Sequence, residues 1–196
     1  MQNKRLLVYS ALMVIIGAVL AVALFNYPIE KNSGTVSDSI LNYNAYVCTY
    51  KNKWLGDHYG ESELVGCSHN VLYDNGKNLT RDLLGYGGPI TANISTISLC
   101  NASTGSACGT PAAAGSEAFT AYTSCGLQNA TGVYNTILPN GNWTITKTFT
   151  SSCDNRVTNA TRLVNASGSI FAGNNFATVT LQNLDTLTVN WTIMIS

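Results

Sequence analysis

The sequence predicts an all-β domain, a two-sheet sandwich of immunoglobulin-like architecture, lying behind an apolar N-terminal export segment. Three observations predict it. Short alternations of apolar and polar residues recur along the chain, Gly, Asn and Asp turn signals separate them, and no helical period of useful length follows Phe25. With 196 residues there is room for one core and an appendage, not for two sizeable cores.

Lys4 and Arg5 precede residues 6–25, which carry no charge. That is the layout of a signal segment, and its length also reaches the roughly 20 residues that span a bilayer. Ala21-Val22-Ala23 supplies the small-x-small pattern of a cleavage site. Cleavage there makes residues 1–23 a signal peptide and Leu24 the new N-terminus; without it the same helix is a permanent anchor. Asn26 and Pro28 end any helix, because proline lacks an N–H donor and disfavours helix at the residue before it. Residues 24–40 therefore read as an extended arm, with Phe25, Tyr27 and Ile29 on one face and Pro28 on the other, and residues 41–196 as the domain.

Within the domain, extended segments are predicted at residues 41–50, 70–73, 90–99, 118–122, 132–138, 142–150, 156–164, 169–172, 177–181 and 186–196. Asp74-Asn75-Gly76, Gly85-Tyr86-Gly87-Gly88-Pro89, Asn140-Gly141, Gly173-Asn174-Asn175 and Asn183-Leu184-Asp185 read as turns, and residues 103–116 as a loop. Two segments also reveal their faces. Trp143, Ile145 and Phe149 stand opposite Asn142, Thr144, Thr146 and Thr148; Leu187, Val189, Trp191, Ile193 and Ile195 stand opposite Thr188, Asn190 and Thr192. Asn142 and Asn190 each open an Asn-x-Thr sequon. A slip of one residue would bury both amides and expose Trp191, so hydrophobic period and glycosylation chemistry agree on one register.

Sequons occur at Asn78, Asn93, Asn101, Asn129, Asn142, Asn159, Asn165 and Asn190. Chance in this composition gives about four, so N-linked glycans are the expected modification and no other cofactor is expected. Cys48, Cys67, Cys100, Cys108, Cys125 and Cys153 form an even set without a CxxC pair, which reads as disulfides in an oxidising, extracellular setting. Sequence alone does not choose among the pairings. Neighbour pairing, Cys48–Cys67, Cys100–Cys108 and Cys125–Cys153, is the arrangement taken forward.

Ten Lys+Arg balance ten Asp+Glu, and no basic run is denser than Lys4-Arg5. A phosphate-tracking surface is excluded, and no nucleic acid partner is expected. His58 and His69, the only histidines, lie near Asp57, Glu61, Glu63 and Cys67. Those residue types suit a metal or catalytic site, but the segment reads as a charged surface loop. Between residues 83 and 146 the only charge is Glu117, so that stretch holds no acid–base pair, and no Gly-x-Ser-x-Gly, P-loop or HExxH pattern is present. The chain reads as neither an enzyme nor a metalloprotein. Asn, Thr and Ser total 61 residues against 10% charged. Hydroxyls, amides and glycans stay hydrated when carboxylates are protonated, which suits an acidic exterior.

The leader at residues 6–25, the arm bearing Phe25, Tyr27 and Ile29, the single Ser/Thr/Asn-rich β domain and the dense sequons together resemble the archaeal thread-filament subunits of thermoacidophiles. Those subunits are similar in architecture to bacterial chaperone–usher pilins. The resemblance implies a pilin-like sandwich completed by an N-terminal donor strand from a neighbouring subunit. It also implies identical subunits joined head to tail into a cell-surface filament for adhesion or biofilm formation, with membrane contact through the leader alone. Phe25, Tyr27 and Ile29 are then the donor residues, and burying three such side chains contributes about 5–8 kcal/mol gross. Two other classes share the layout. Archaeal type IV pilins are cut before the apolar segment, usually after a Gly, whereas here Leu6 follows Arg5. Membrane-anchored surface glycoproteins, cellular or viral, keep the segment. The mass of the exported chain separates the three, by loss of about 23 residues, about five, or none.

Overall fold

The computed structural model describes residues 43–81, 93–103, 105, 108–115, 117–135 and 142–195. The signal segment, the arm with Phe25, Tyr27 and Ile29, and the turns at residues 85–89 and 140–141 lie outside the described residues. Among these residues ten strands form two antiparallel five-stranded sheets. The first has the order β2-β1-β10-β7-β6, with β1 Tyr43–Asn52, β2 Glu63–His69, β6 Val133–Asn135, β7 Trp143–Thr150 and β10 Thr186–Ile195. The second has the order β3-β9-β8-β4-β5, with β3 Val71–Leu72, β4 Ile94–Leu99, β5 Ala130–Thr131, β8 Arg156–Asn165 and β9 Ile170–Leu181. Val47, Ile145, Phe149 and Trp191 of the first sheet share one buried cluster with Ile97, Leu99, Leu163 and Leu181 of the second. The domain is an all-β sandwich.

The predicted faces of β7 and β10 are observed. Trp191 stands opposite Ile145 and Leu187 opposite Phe149, all four buried, while Asn190 faces Thr146 on the outer side. Lys147 departs from the pattern: it pairs with buried Val189 and so lies on the inner face, half-buried. A charge turned inward near a sheet edge blunts pairing there.

Other expectations are corrected. The segment read as a charged loop is a loop only through residue 62: Glu63, Cys67 and His69 belong to strand β2, because cross-strand pairing with β1 overrides its weak apolar pattern. Asp74-Asn75-Gly76 opens a short helix, α1 (Asp74–Arg81), with the acidic residue in its first turn and the basic one in its last, as the helix dipole favours. Residues 118–122 make only an isolated bridge, Cys100 to Ala121. Gly173-Asn174-Asn175 is no turn: β9 runs through it, with Asn174 buried. The Asn174 carboxamide Nδ2 donates to Ser68 O at 3.2 Å and His69 O at 3.0 Å, tying β9 of one sheet to β2 of the other. A buried amide so bonded tolerates a site where a turn signal alone would break the strand.

Both sides of the sandwich are joined by chain that changes sheet. On one side β2 passes through Asn70 into β3, and on the other β5 passes through Gly132 into β6. The crossing at Gly132 is tight, because a Cβ there would overlap the Cγ1 of buried Ile145. The three disulfides are Cys48–Cys67, Cys100–Cys108 and Cys125–Cys153, the neighbour pairing. The first links directly opposed residues of β1 and β2. They are the bonds of an oxidising compartment.

The register gives the sandwich two distinct ends. At the hairpin end lie the β1–β2 loop of residues 53–62, the β7–β8 turn and the β9–β10 turn. At the opposite end Tyr43 pairs with Ile195, and Ile94 pairs with Asn165 beside the β8–β9 turn. The chain enters β1 at this second end. Burial pushes the Tyr43 hydroxyl up to about 12, against the opposing hydrogen bond from Asn70 Nδ2 at 2.8 Å.

Candidate functional site

Residues 63–65 of β2 and 177–180 of β9, with Lys51 of β1, build a groove at the hairpin end. In β1 the pairing with β2 shifts register between Thr49 and Tyr50, which leaves Val65 as the extra residue of a bulge. In β9 the pairing with β8 shifts between Thr158 and Ala160, leaving residues 176–178 looped out. Both irregularities fall on the same side of the sandwich, between the Asn174 tie and the hairpin end. The resulting groove, about 260 Å3, is lined by Lys51, Glu63, Leu64, Val65 and residues 177–180. Val65 packs half-buried against the core, and Leu64 is 54% exposed. Gly66 pairs with buried Thr49 on the inner face, and a Cβ added to it meets nothing within 4 Å. Among the described residues β2 has no strand partner other than β1, and β9 beyond Gly173 none other than β8. The groove therefore has two strand edges as its lips that pair with no other strand among the described residues, although side chains occupy the carbonyls of Asn175 and Thr180.

Its mouth is held by one ion pair. Lys51 Nζ donates to Thr180 O at 2.7 Å, spanning the two sheets, and lies 3.4 Å from Asp185 Oδ2. Asp185 is buried. Trp54 N–H donates to its Oδ1 at 2.9 Å and Gln182 N–H to its Oδ2 at 3.0 Å. Burial alone would raise its pKa, but those two backbone donors and the Lys51 ammonium hold the carboxyl below the ordinary carboxylate range. Asp185 thus fixes the β1–β2 loop, the β9–β10 turn and the groove mouth together. Its turn had been legible in the sequence, but its partners, Trp54 and Lys51, are more than a hundred residues away and left no local signal.

A second polar cluster lies on the outer side of the second sheet. Arg162 Nη2 donates to Glu117 Oε1 at 2.6 Å, with its guanidinium 4.1 Å from the centre of the Phe119 ring, and the Tyr73 hydroxyl donates to the same carboxylate oxygen. This pair pins the loop leading into residue 117 against β8. The signal for it was present: a lone Glu in a long chargeless stretch needs a reason, and a buried Arg supplies it.

The sequons divide by exposure. Asn78, Asn93 and Asn129 are exposed, Asn101, Asn142, Asn159 and Asn190 half-buried, and Asn165 is buried at 7%. Asn165 Oδ1 accepts from Ser167 N–H at 3.1 Å and Ser169 N–H at 2.7 Å, which shapes the β8–β9 turn. Asn190 Oδ1 accepts from Thr146 Oγ1 at 3.0 Å. The two histidines are not brought together: His58 sits in the hairpin loop, 2.5 Å from Asp57 Oδ1, and His69 ends β2 toward the other end. Among the described residues no group of three or more His, Cys, Asp or Glu has metal-binding geometry.

Fold and groove define, among the described residues, a disulfide-linked β-sandwich with a groove between the edges of β2 and β9. No known protein family, curated protein or solved structure matches the chain.

Proposed function

We propose that this chain is the structural subunit of an extracellular filament, in which the arm of one copy pairs with the groove edges of the next. The observation that carries this reading is the opposition of the two features. The groove opens at the hairpin end, whereas the chain enters β1 at Tyr43, about 26 Å away along that strand. A contact between opposite ends of identical subunits does not close on itself, so it yields a linear polymer. An added strand gains main-chain hydrogen bonds from an edge and specificity from alternate side chains. Phe25, Tyr27 and Ile29 supply that alternation, and the room over Gly66 accepts a side chain. Insertion replaces the Lys51 bridge to Thr180 O with a backbone N–H donor. Glycans at the exposed Asn78, Asn93 and Asn129 then coat a surface that has few charges of its own, in keeping with an adhesive role outside the cell.

Removal of residues 24–29 downstream of the export signal tests the joint. Electron microscopy of the exported product is expected to show folded or aggregating monomers without filaments. Normal filaments from that truncation refute the donor role of Phe25, Tyr27 and Ile29.

A further inference from the structure

Two sequons meet at one pocket. It lies between α1 and the β8–β9 turn, has a volume of about 220 Å3 and is lined by Asn75, Asn78, Leu79, Asn165, Ser169 and Ile170. Asn78-Leu79-Thr80 is one sequon and Asn165-Ala166-Ser167 the other. Asn75, Asn78 and Leu79 follow the i, i+3, i+4 spacing that places side chains on one face of a helix. That face is held at a fixed distance from the turn. Tyr73 N–H donates to Phe171 O at 3.0 Å, and a Cβ on buried Gly76 would overlap the same oxygen, so α1 sits as close to β9 as backbone allows. The two acceptor amides differ in what they are free to do. Asn78 is exposed at the pocket lip. Asn165 is buried, and besides the two backbone donors of the turn its Oδ1 accepts from Ser167 Oγ at 2.8 Å, the hydroxyl of its own sequon.

We infer that this pocket seats the first sugar of a glycan carried by Asn78, and that Asn165, although it opens a sequon, stays unmodified and forms part of the wall. The inference goes beyond the filament reading and stands without it; it rests only on Asn78 being a glycan acceptor. The occupant follows from the chemistry of the walls. A sugar ring is amphipathic, with C–H groups on its faces and hydroxyls around its edge. Leu79, half-buried against the core, and half-buried Ile170 offer apolar contact, while Asn75, Asn165 and Ser169 offer hydrogen-bonding groups. Apolar walls with a few placed polar groups are the usual make-up of a small-molecule site. The volume is below the roughly 300–1,000 Å3 of sites for drug-sized molecules, so it takes one ring and not a chain. One pocket therefore serves one of the two sequons, and the sugar enters from the exposed amide. Seated there, it braces α1 against the β8–β9 turn.

The test starts from the full chain exported by its host, with its glycopeptides mapped by mass spectrometry. Asn78 is expected to carry a glycan and the Asn165 peptide to be unmodified; a bare Asn78 or a glycan on Asn165 overturns the inference. Amide exchange then reads the seat itself. Loss of the glycan in Asn78→Gln is expected to quicken exchange at residues 166–170 about fivefold or more, because the brace on the turn is gone. Asn129→Gln, which removes a sequon outside the pocket, is expected to leave those amides unchanged. Equal quickening in both variants, or none in Asn78→Gln, overturns the inference. The unaltered chain produced in a host that adds no glycans separates sugar from side chain. At residues 166–170 it is expected to exchange as Asn78→Gln does, and rates matching those of the glycosylated chain overturn the inference.

Discussion

The two sides of the sandwich solve the same problem differently. On the β5–β6 side the chain crosses between sheets at Gly132 with no room to spare, and inward Lys147 sits on the neighbouring strand β7. On the β2–β9 side the crossing at Asn70 covers only the half nearer Tyr43, and the other half opens into the groove. The side with two unpaired edges, among the described residues, is the one the proposed donor strand would use; the side crossed at Gly132 has no comparable groove described.

The contrast can be broken most directly at Gly132. Gly132→Val puts branched carbon onto Ile145 and against Thr146 O, and is expected to destabilise the domain by about 3 kcal/mol, read as a lowered denaturation midpoint at unchanged slope. A loss below that of an average surface substitution would show that the closed side has slack.

Next in size is Asn174→Ala, which leaves the carbonyls of Ser68 and His69 without their donor where the two sides diverge. About 2 kcal/mol of stability should go with it, and amide exchange should quicken in β2 before it does in β7.

Asp185 sharpens the comparison through pH. Its pKa is depressed in the folded state, so the stability it contributes is present above the unfolded value near 4 and is lost as pH falls through the folded one. Asp185→Asn should therefore cost about 1–2 kcal/mol at neutral pH. Its thermal midpoint should converge on that of the unaltered protein as the solution is acidified below about pH 4. Parallel curves across that range would remove Asp185 as the titrating group.

The smallest effect on stability is expected on the open side. Gly66→Val meets no neighbour, so the midpoint should move by no more than about 0.5 kcal/mol. On the proposed donor-strand reading the added side chain would compete with an arm residue, so binding of a synthetic peptide of residues 24–40, followed by calorimetry, should weaken about tenfold. Equal binding by both proteins would place the peptide elsewhere.

Much of this was legible because a strand with one buried face writes that face into its own sequence. Alternation in residues 142–150 and 186–196 gave the inner sides observed for β7 and β10, whereas the cysteine pairing was left open by the sequence and it is the fold that brings neighbouring cysteines together. The candidate groove was not legible. Its bulges depend on which residues lie opposite one another, and β2 has too few apolar positions to announce itself. The sequon pattern located every acceptor amide but not its surroundings: Asn165 spends its carbonyl on the β8–β9 turn, whereas Asn78 stands free on α1.

By itself the sequence determined the all-β class, the inner faces of β7 and β10 and the chemistry of the thiols, because each is set by near neighbours along the chain. Only the tertiary structure decided that Gly173-Asn174-Asn175 continues a strand, that Lys51 and Asp185 meet at the groove mouth and that the groove and Tyr43 lie at opposite ends. Those outcomes rest on contacts between residues about a hundred apart or more, whose free energy exceeds the local preference they override, and no local pattern encodes them.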